Sequence, residues 1–199
     1  PAQISTVEIV RRMVEERRAL AVLGNHELNA IAWHTPDHDA PGEYLRPRFC
    51  KKWGKKNRLQ HQQFLNEVEE NPALHASIIE WFQTLPLWID LPELRVVHAC
   101  WHTPFMDWLY PQLEHDLRLD SKLLPSATKE MLGGACNDDG TPSIFKAVEA
   151  LTKGIEIPLP AGHSFIDKDG IERTRVRIRW WDSKAQTYPQ AAILPDDLR

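Results

Sequence analysis

Two histidines follow segments that resemble strands, and the residues around them can bind metals or transfer protons. Gly24-Asn25-His26-Glu27 follows the apolar run at residues 19–23, and His98 follows the strand-like residues 94–97. An asparagine carbonyl is a hard neutral ligand, whereas histidine ligates a metal or carries a proton. Because ligand sites of open α/β sheets lie beyond the carboxyl ends of the strands, we expect these side chains to share a crevice. They predict an oxygen-and-nitrogen metal site suited to Mn, Fe or Zn, with a proton donor nearby.

Each of these residues also has a structural interpretation. Asn25 could cap the following helix while His26 lies on the surface, and a single histidine after a strand is usually structural. Two histidines at strand ends in one chain are less easily explained in this way. His102 lies four residues after His98, where it either faces the same crevice and touches phosphate or packs near Trp101.

The segments that must position these residues alternate between helix-like and strand-like patterns. Ile4, Val7, Val10 and Val14 recur at helical spacing, and the apolar run that follows has the length of a buried strand. Further helices are predicted at residues 28–33, 60–70 and 74–85. Strands are predicted at residues 87–91 and 94–97, around the turn Pro92-Glu93. This order is typical of an α/β fold, with helices packed on both faces of a sheet.

The C-terminal third is less regular. A helix is predicted to begin near Thr141-Pro142 and to end at Gly154, and a half-buried strand is predicted over residues 173–181. In that strand the arginines form the outer face, and Trp180 is expected in the core, as are Trp81 and Trp88.

Residues 35–58 form a long polar connection of the kind that is usually functional or mobile. His34 directly precedes this segment, and His38 lies within it. The segment also contains the basic run Lys51-Lys52-Trp53-Gly54-Lys55-Lys56. This run either attracts a nucleotide or phosphopeptide through charge and stacking, or is simply a solvated surface. His34 and His38 could line a substrate entrance, but solvated loop positions are the favoured interpretation of both.

The overall composition is that of an ordinary folded protein. The 199 residues are 42% hydrophobic and 26% charged, and their formal net charge is −4. This charge argues against bulk electrostatic binding to nucleic acid, and no apolar run approaches the roughly 20 residues that span a bilayer. Three cysteines far apart in the sequence imply no disulfide framework. We therefore expect a cytoplasmic protein without a membrane partner, for which nucleic acid is not a favoured ligand.

The two motifs together resemble those of the calcineurin-like metallophosphoesterases. The similarity is strongest to the branch that holds the serine/threonine protein phosphatases and the bacterial symmetrical diadenosine tetraphosphatases. It extends over most of the chain, through Thr84-Leu85-Pro86-Leu87-Trp88, Trp101-His102 and Arg177-Ile178-Arg179-Trp180-Trp181.

The resemblance implies a four-layer α/β/β/α sandwich that hydrolyses phosphate esters with two divalent metal ions, manganese first and iron or zinc as alternatives. By residue match, Asn25 and His98 are metal ligands and His26 is the general acid that protonates the leaving oxygen. His102 is a candidate for substrate binding. The implied substrates are a phosphorylated small molecule, a dinucleotide or a phosphoprotein.

The family's Asp-x-His and Gly-Asp-x-x-Asp-Arg-Gly motifs do not occur in this sequence. Since the resemblance places both before the first helix, residues 1–199 are expected to be a single incomplete domain with little turnover of its own. Gly162-His163 is the only Gly-His pair, but it follows a proline-rich segment that cannot be a central strand, so His163 is more readily a loop residue than a ligand. A C-terminal truncation is therefore expected too. The alternatives are a non-catalytic binding module of the same fold, or a phosphodiesterase or nuclease with the same centre.

Overall fold

The computed structural model describes residues 2–129, 141–167, 170 and 172–194. Its α-helices are α1 (Gln3–Glu15), α2 (Asn25–His34), α3 (Gly54–Val68), α4 (Pro72–Phe82), α5 (Thr103–Leu109), α6 (Leu124–Thr128), α7 (Ile144–Lys153) and α8 (Tyr188–Ala191). Its strands are β1 (Trp88–Asp90), β2 (Arg95–Val97), β3 (Glu156–Pro158), β4 (Phe165–Ile166), β5 (Glu172–Arg173) and β6 (Arg175–Arg177). The described part of the chain is therefore a mixture of helices and short strands, which fits the α/β prediction at this coarse level. None of the described helices is long and apolar enough to cross a bilayer.

The described strands form three separate two-stranded antiparallel sheets, which are β1–β2, β3–β6 and β4–β5. The hairpin predicted around Pro92-Glu93 is confirmed, with Ile89 opposite Val96. In the C-terminal part Val176 is buried between exposed Arg175 and Arg177, as its alternating pattern predicted. The strand there is shorter than expected because the chain turns between β5 and β6.

The prediction of a buried strand at residues 19–23 was wrong. The chain leaves α1 through Arg17, whose φ is +57°, and then runs to α2 without regular secondary structure. Leu20 is 66% exposed, and burial becomes nearly complete only at Leu23, whose amide donates to the Pro86 carbonyl at 2.8 Å. A strand needs a neighbour to complete its ladder, and no described strand runs beside this segment.

Helix α2 lies at the centre of the main hydrophobic core and packs against α4, α6 and α7. Its buried side chains, all of them after the first three residues of the helix, are Leu28, Ala30, Ile31, Ala32 and Trp33. Burial of apolar surface stabilises the folded state by on the order of 25 cal/mol per Å². The first turn of α2 is therefore held in place by the rest of the helix.

The other helices largely follow their patterns. Helix α1 is amphipathic and confirmed, and its first amides at Gln3 and Ile4 both donate to the Glu67 carboxylate at 3.0 Å. Helix α7 ends at Gly154, whose φ of +92° favours glycine. Trp180 is 38% exposed, against the prediction that it lies in the core, because it follows β6 and packs on its exposed neighbour Trp181.

Helix α3 begins at Gly54, six residues before its predicted start. Its first turn has no apolar periodicity for a pattern to detect, since it consists of a glycine, two lysines and an asparagine. Gly54 is required there because a Cβ would lie 2.2 Å from the Arg48 carbonyl oxygen. Asn57 is buried and its amide donates to the Pro47 carbonyl at 2.9 Å, which ties the preceding loop to the helix.

Candidate functional site

The first motif forms the start of helix α2. Gly24 is the N-cap, and its amide donates to the Glu27 carboxylate at 3.2 Å. Asn25 and His26 therefore occupy the first two helical positions. The alternative in which Asn25 caps the helix is excluded, because the side chain of Asn25 points elsewhere, towards His98.

The second motif follows the β1–β2 hairpin. Val97, at the end of β2, packs against the main core, and the amide of Ala99 donates to the Leu151 carbonyl of α7 at 3.0 Å. The next residue, Cys100, is almost completely buried. These anchors hold the backbone on both sides of His98, while its side chain remains exposed.

The two side chains predicted as metal ligands lie together. His98 Nε2 donates to the Oδ1 atom of Asn25 at 3.1 Å, although the residues are separated by 73 positions. The contact joins the start of a buried helix to the end of a hairpin. Its two atoms are the nitrogen and the carbonyl oxygen that would ligate an ion.

Gly24 allows this contact because it leaves room for the imidazole ring. A Cβ atom at Gly24 would lie 2.8 Å from both Cε1 and Nδ1 of His98 and 2.6 Å from Oε2 of Glu27. Since non-bonded carbon atoms prefer separations of about 3.5–4.0 Å, any side chain here would displace the His98 ring. The φ of Gly24 is −101°, so close approach, not backbone conformation, requires glycine.

The pair fits part of a metal coordination shell. Two ligands at about 2.1 Å from one ion and at a right angle to each other are about 3 Å apart, which matches the 3.1 Å measured here. Within the described ranges, however, no three His, Cys, Asp or Glu side chains are grouped so that they could hold an ion. Asn25 and His98 therefore bring together two potential donor atoms, and the described residues add no group of three such side chains around them.

His26 follows Asn25 directly in the sequence. Its side chain is exposed, and no described residue makes a hydrogen bond to its ring. It is close enough to His61 of α3 to help lower the pKa of that residue. An exposed imidazole at a helix start is accessible to a ligand, as a proton donor must be.

His102 has a structural role that the sequence did not indicate. It is the N-cap of α5, where its Nδ1 accepts from the Phe105 amide at 3.1 Å and its ring packs on the Phe105 ring with centroids 4.3 Å apart. Partial burial lowers the pKa of His102. The capping bond leaves only Nε2 for a substrate, so substrate binding by this residue stays a prediction.

His163 lies outside this cluster. It is exposed in a turn after β3, where its amide donates to the Pro160 carbonyl at 3.0 Å and its Nδ1 lies 3.3 Å from the Ala161 carbonyl. Proline at the end of β3 is tolerated because that sheet has only two strands. The structure thus supports the interpretation of His163 as a loop residue.

Three other histidines form a cluster between α2, α3 and α4 that sequence reasoning missed. The rings of His34 and His75 pack edge to face with centroids 4.7 Å apart, and the Phe64 ring lies between His75 and His61. The Nε2 atoms of His61 and His75 are buried and have no hydrogen-bond partner among the residues that the structure describes. His34 is therefore not the solvated loop residue that was predicted, because it is the last residue of α2 and packs inward.

Burial controls the ionisation of this histidine cluster. Desolvation, with a smaller contribution from Arg46 and His26, lowers the pKa of His61 to about 4. Desolvation also lowers the pKa of His75 to about 4, with help from His34 and Arg48. Helical periodicity at 61, 64, 65 and 68 would have placed His61 on the buried face, which was the available signal.

Comparison of the chain with protein-family models, with curated proteins and with solved structures gave no match. The function is therefore argued from the residues and their geometry.

Proposed function

We propose that the protein is a metal-dependent phosphoesterase whose site includes Asn25, His26 and His98. The observation that carries the proposal is the 3.1 Å contact between His98 Nε2 and Asn25 Oδ1 beside an exposed histidine. This contact joins two motifs whose residue types alone favour metal binding, so residue type and proximity support the proposal independently.

In this proposal each side chain has a distinct task. Asn25 and His98 hold part of the metal centre, and bound divalent ions would supply charge neutralisation for the phosphate group. His26 donates a proton to the departing ester oxygen, which needs one near neutral pH. The positive end of the α2 dipole lies at the same place and favours the phosphate oxygens.

The proposal includes the finer properties that the resemblance implies. The proposed fold is a four-layer α/β/β/α sandwich. The observed mixture of helices and short strands is compatible with it. The cofactors are two divalent ions, manganese first and iron or zinc as alternatives. The substrate is a phosphorylated small molecule, dinucleotide or phosphoprotein, and the location is the cytoplasm.

Metal binding and turnover test separate parts of this proposal. We expect Asn25→Ala and His98→Ala to lower Mn²⁺ occupancy, measured by elemental analysis and by titration followed by electron paramagnetic resonance. We expect His26→Ala to leave metal content nearly unchanged and to lower aryl-phosphate turnover of the full gene product by about 10²–10⁴, the usual effect of losing a general acid. Normal metal stoichiometry in both ligand variants would refute the assignment of Asn25 and His98.

A second candidate is a non-catalytic binding module. It is favoured by one observation, namely that the described residues contain no group of three His, Cys, Asp or Glu side chains that could hold a metal ion. Such a module would bind its ligand in the presence of a chelator as well as in its absence. Loss of binding on treatment with a chelator would exclude it in favour of the metalloenzyme.

A further inference from the structure

The start of α3 and the loop before it form a surface with both positive charge and exposed apolar side chains. We call it the basic-aromatic patch, and it consists of Phe49, Trp53, Leu59 and the four lysines 51, 52, 55 and 56. Its apolar members are unusually accessible, since Phe49 is 72%, Leu59 63% and Trp53 43% exposed. The basic run was first interpreted as a solvated surface, and this apolar exposure is the property that such an interpretation does not explain.

The positive charge of the patch is concentrated and not neutralised locally. Residues 46–58 contain seven arginines and lysines and no acidic residue, although the whole chain has a formal charge of −4. Arg58 pairs with Glu69 at 2.7 Å. None of the four lysines makes an ion pair with any residue that the structure describes.

This arrangement is electrostatically unfavourable for the chain alone. The ammonium groups of Lys52 and Lys56 lie 4.8 Å and 5.5 Å from the centroid of the same Trp53 ring, so two like charges share one aromatic side chain. Lys55 and Lys56 also occupy the first turn of α3, where the helix dipole is positive and no acidic residue is present. A bound anionic partner would offset both costs.

The size of the patch limits what can bind there. From Trp53 to Leu59 the helix rises only about 9 Å, a length covered by three residues of extended chain. Beyond Leu59 the exposed face of α3 becomes neutral and then acidic at Glu67, and Glu69 and Glu70 follow directly after the helix. A short acidic segment can bind the basic part of the helix alone. An anionic membrane or a long nucleic acid would also contact the acidic end of the helix and be repelled by it.

The state of the Trp53 ring also distinguishes between partners. Single-stranded nucleic acid binds to such surfaces largely by stacking bases on open aromatic faces. Here two ammonium groups already occupy positions over the ring face. Exposed Phe49 and Leu59 instead suit the apolar side chains of a peptide that carries carboxylates or phosphates between them.

The patch is connected to the helix that carries the candidate site. Arg46, at the beginning of the basic segment, donates from Nη1 to Asn29 Oδ1 at 2.8 Å and from Nη2 to Gln60 Oε1 at 2.7 Å. Asn29 lies one turn after Asn25 on α2. We propose that the basic-aromatic patch binds an acidic segment of a phosphorylated polypeptide whose phosphate group reaches the site at the start of α2. The substrate part of this inference rests on the proposed phosphoesterase function, whereas the binding part does not.

The binding part is tested with a fluorescein-labelled, unphosphorylated peptide in which glutamates alternate with leucine and phenylalanine. Fluorescence anisotropy would be measured with the 199-residue chain at low and at physiological salt. We expect Lys52→Glu combined with Lys56→Glu to weaken binding by about 10–100-fold at low salt, because it reverses two charges at the patch. The matched control is Lys122→Glu combined with Lys184→Glu, which changes the net charge equally at exposed positions elsewhere. It should change binding by less than about twofold.

Three results would overturn the binding proposal. These are no binding of the peptide, equal weakening by the control pair, or patch-dependent binding of oligo-dT or of phosphatidylserine vesicles but not of the peptide. Circular dichroism of each variant would verify that it is folded.

Turnover of the full gene product separates this inference from the proposed function. Patch variants should raise the KM of a phosphopeptide with an acidic segment and leave hydrolysis of a small aryl phosphate unchanged. Peptide binding without hydrolysis of either phosphate ester would overturn the substrate part and the proposed function while supporting the binding site. Hydrolysis of the aryl phosphate with an unchanged phosphopeptide KM in the patch variants would overturn the substrate part alone.

Discussion

Acidification should destabilise the protein through the two buried histidines of α3 and α4. His61 and His75 each have a pKa of about 4 in the folded protein, whereas an unfolded histidine has a pKa near 6.5. Because the folded pKa is the lower one, the unfolded chain takes up more protons between these values, and stability falls as the pH decreases through that window. Each histidine should cost about 2 kcal/mol of unfolding free energy between pH 7.5 and pH 5.

The groups around each ring support the direction of this effect. Arg46 and His26 face His61, and both disfavour a second positive charge there. His75 faces His34 and Arg48, which act in the same direction, and Glu69, which opposes them. The Nε2 atoms of both histidines have no hydrogen-bond partner in the described part of the chain, so a proton added there in the folded protein would create a buried charged donor.

Chemical denaturation at a series of pH values measures this effect directly. His75→Phe keeps an aromatic ring against His34 and Phe64 but cannot take up a proton. Between pH 7.5 and pH 5, the free energy of unfolding of this variant should therefore decrease by about 2 kcal/mol less than that of the wild type. His115→Gln, at an exposed position, is the matched control and should retain the wild-type pH dependence. Parallel curves for His75→Phe and the wild type would refute the reasoning, since they would show that His75 does not titrate differently on unfolding.

Three further substitutions or treatments test other parts of the structure. Gly24→Ala should cost about 1–3 kcal/mol and weaken Mn²⁺ binding, because the new Cβ displaces the His98 ring; unchanged values in thermal unfolding and metal titration would contradict this. His102→Ala should destabilise the protein by about 1 kcal/mol by removing the acceptor of the Phe105 amide, while His102→Asn should recover much of the loss as an alternative cap. Cys100 should resist a thiol reagent at pH 8 until the protein unfolds, because burial raises its pKa to about 11. Labelling would be detected by mass spectrometry of the peptide that contains Cys100. Rapid labelling in the native protein would show that Cys100 is accessible to the reagent.

The features that the sequence predicted well depend on short-range patterns. The turn at Pro92-Glu93 defines its hairpin locally, and Gly154 ends its helix through a backbone conformation that glycine adopts readily. Residues 19–23 were predicted wrongly because an apolar run of this length gives no information about whether a partner strand lies beside it. The first turn of α3 was not predicted because it contains lysines, and helical periodicity is detected only where apolar residues recur.

The candidate site was predicted only in part. Asn25 and His98 were expected to meet because both were thought to follow strands of one sheet, yet the first begins a helix and the second follows a separate hairpin. Their meeting depends on tertiary packing, which no local pattern contains. His61 and His75 carry no recognisable motif, and their burial follows from the packing of α3 and α4 against the core.

The sequence separation of Asn25 and His98 has a consequence for the order of folding. Closing a segment of 73 residues costs chain entropy that is recovered only when distant elements have docked. Helix α2 and the hairpin can each form early through local contacts, but the pair between them requires both to be in place on α7. The metal binding that we propose for these two residues should therefore disappear at a lower denaturant concentration than the helical circular dichroism signal does. The site thus reports whether the chain has finished assembling.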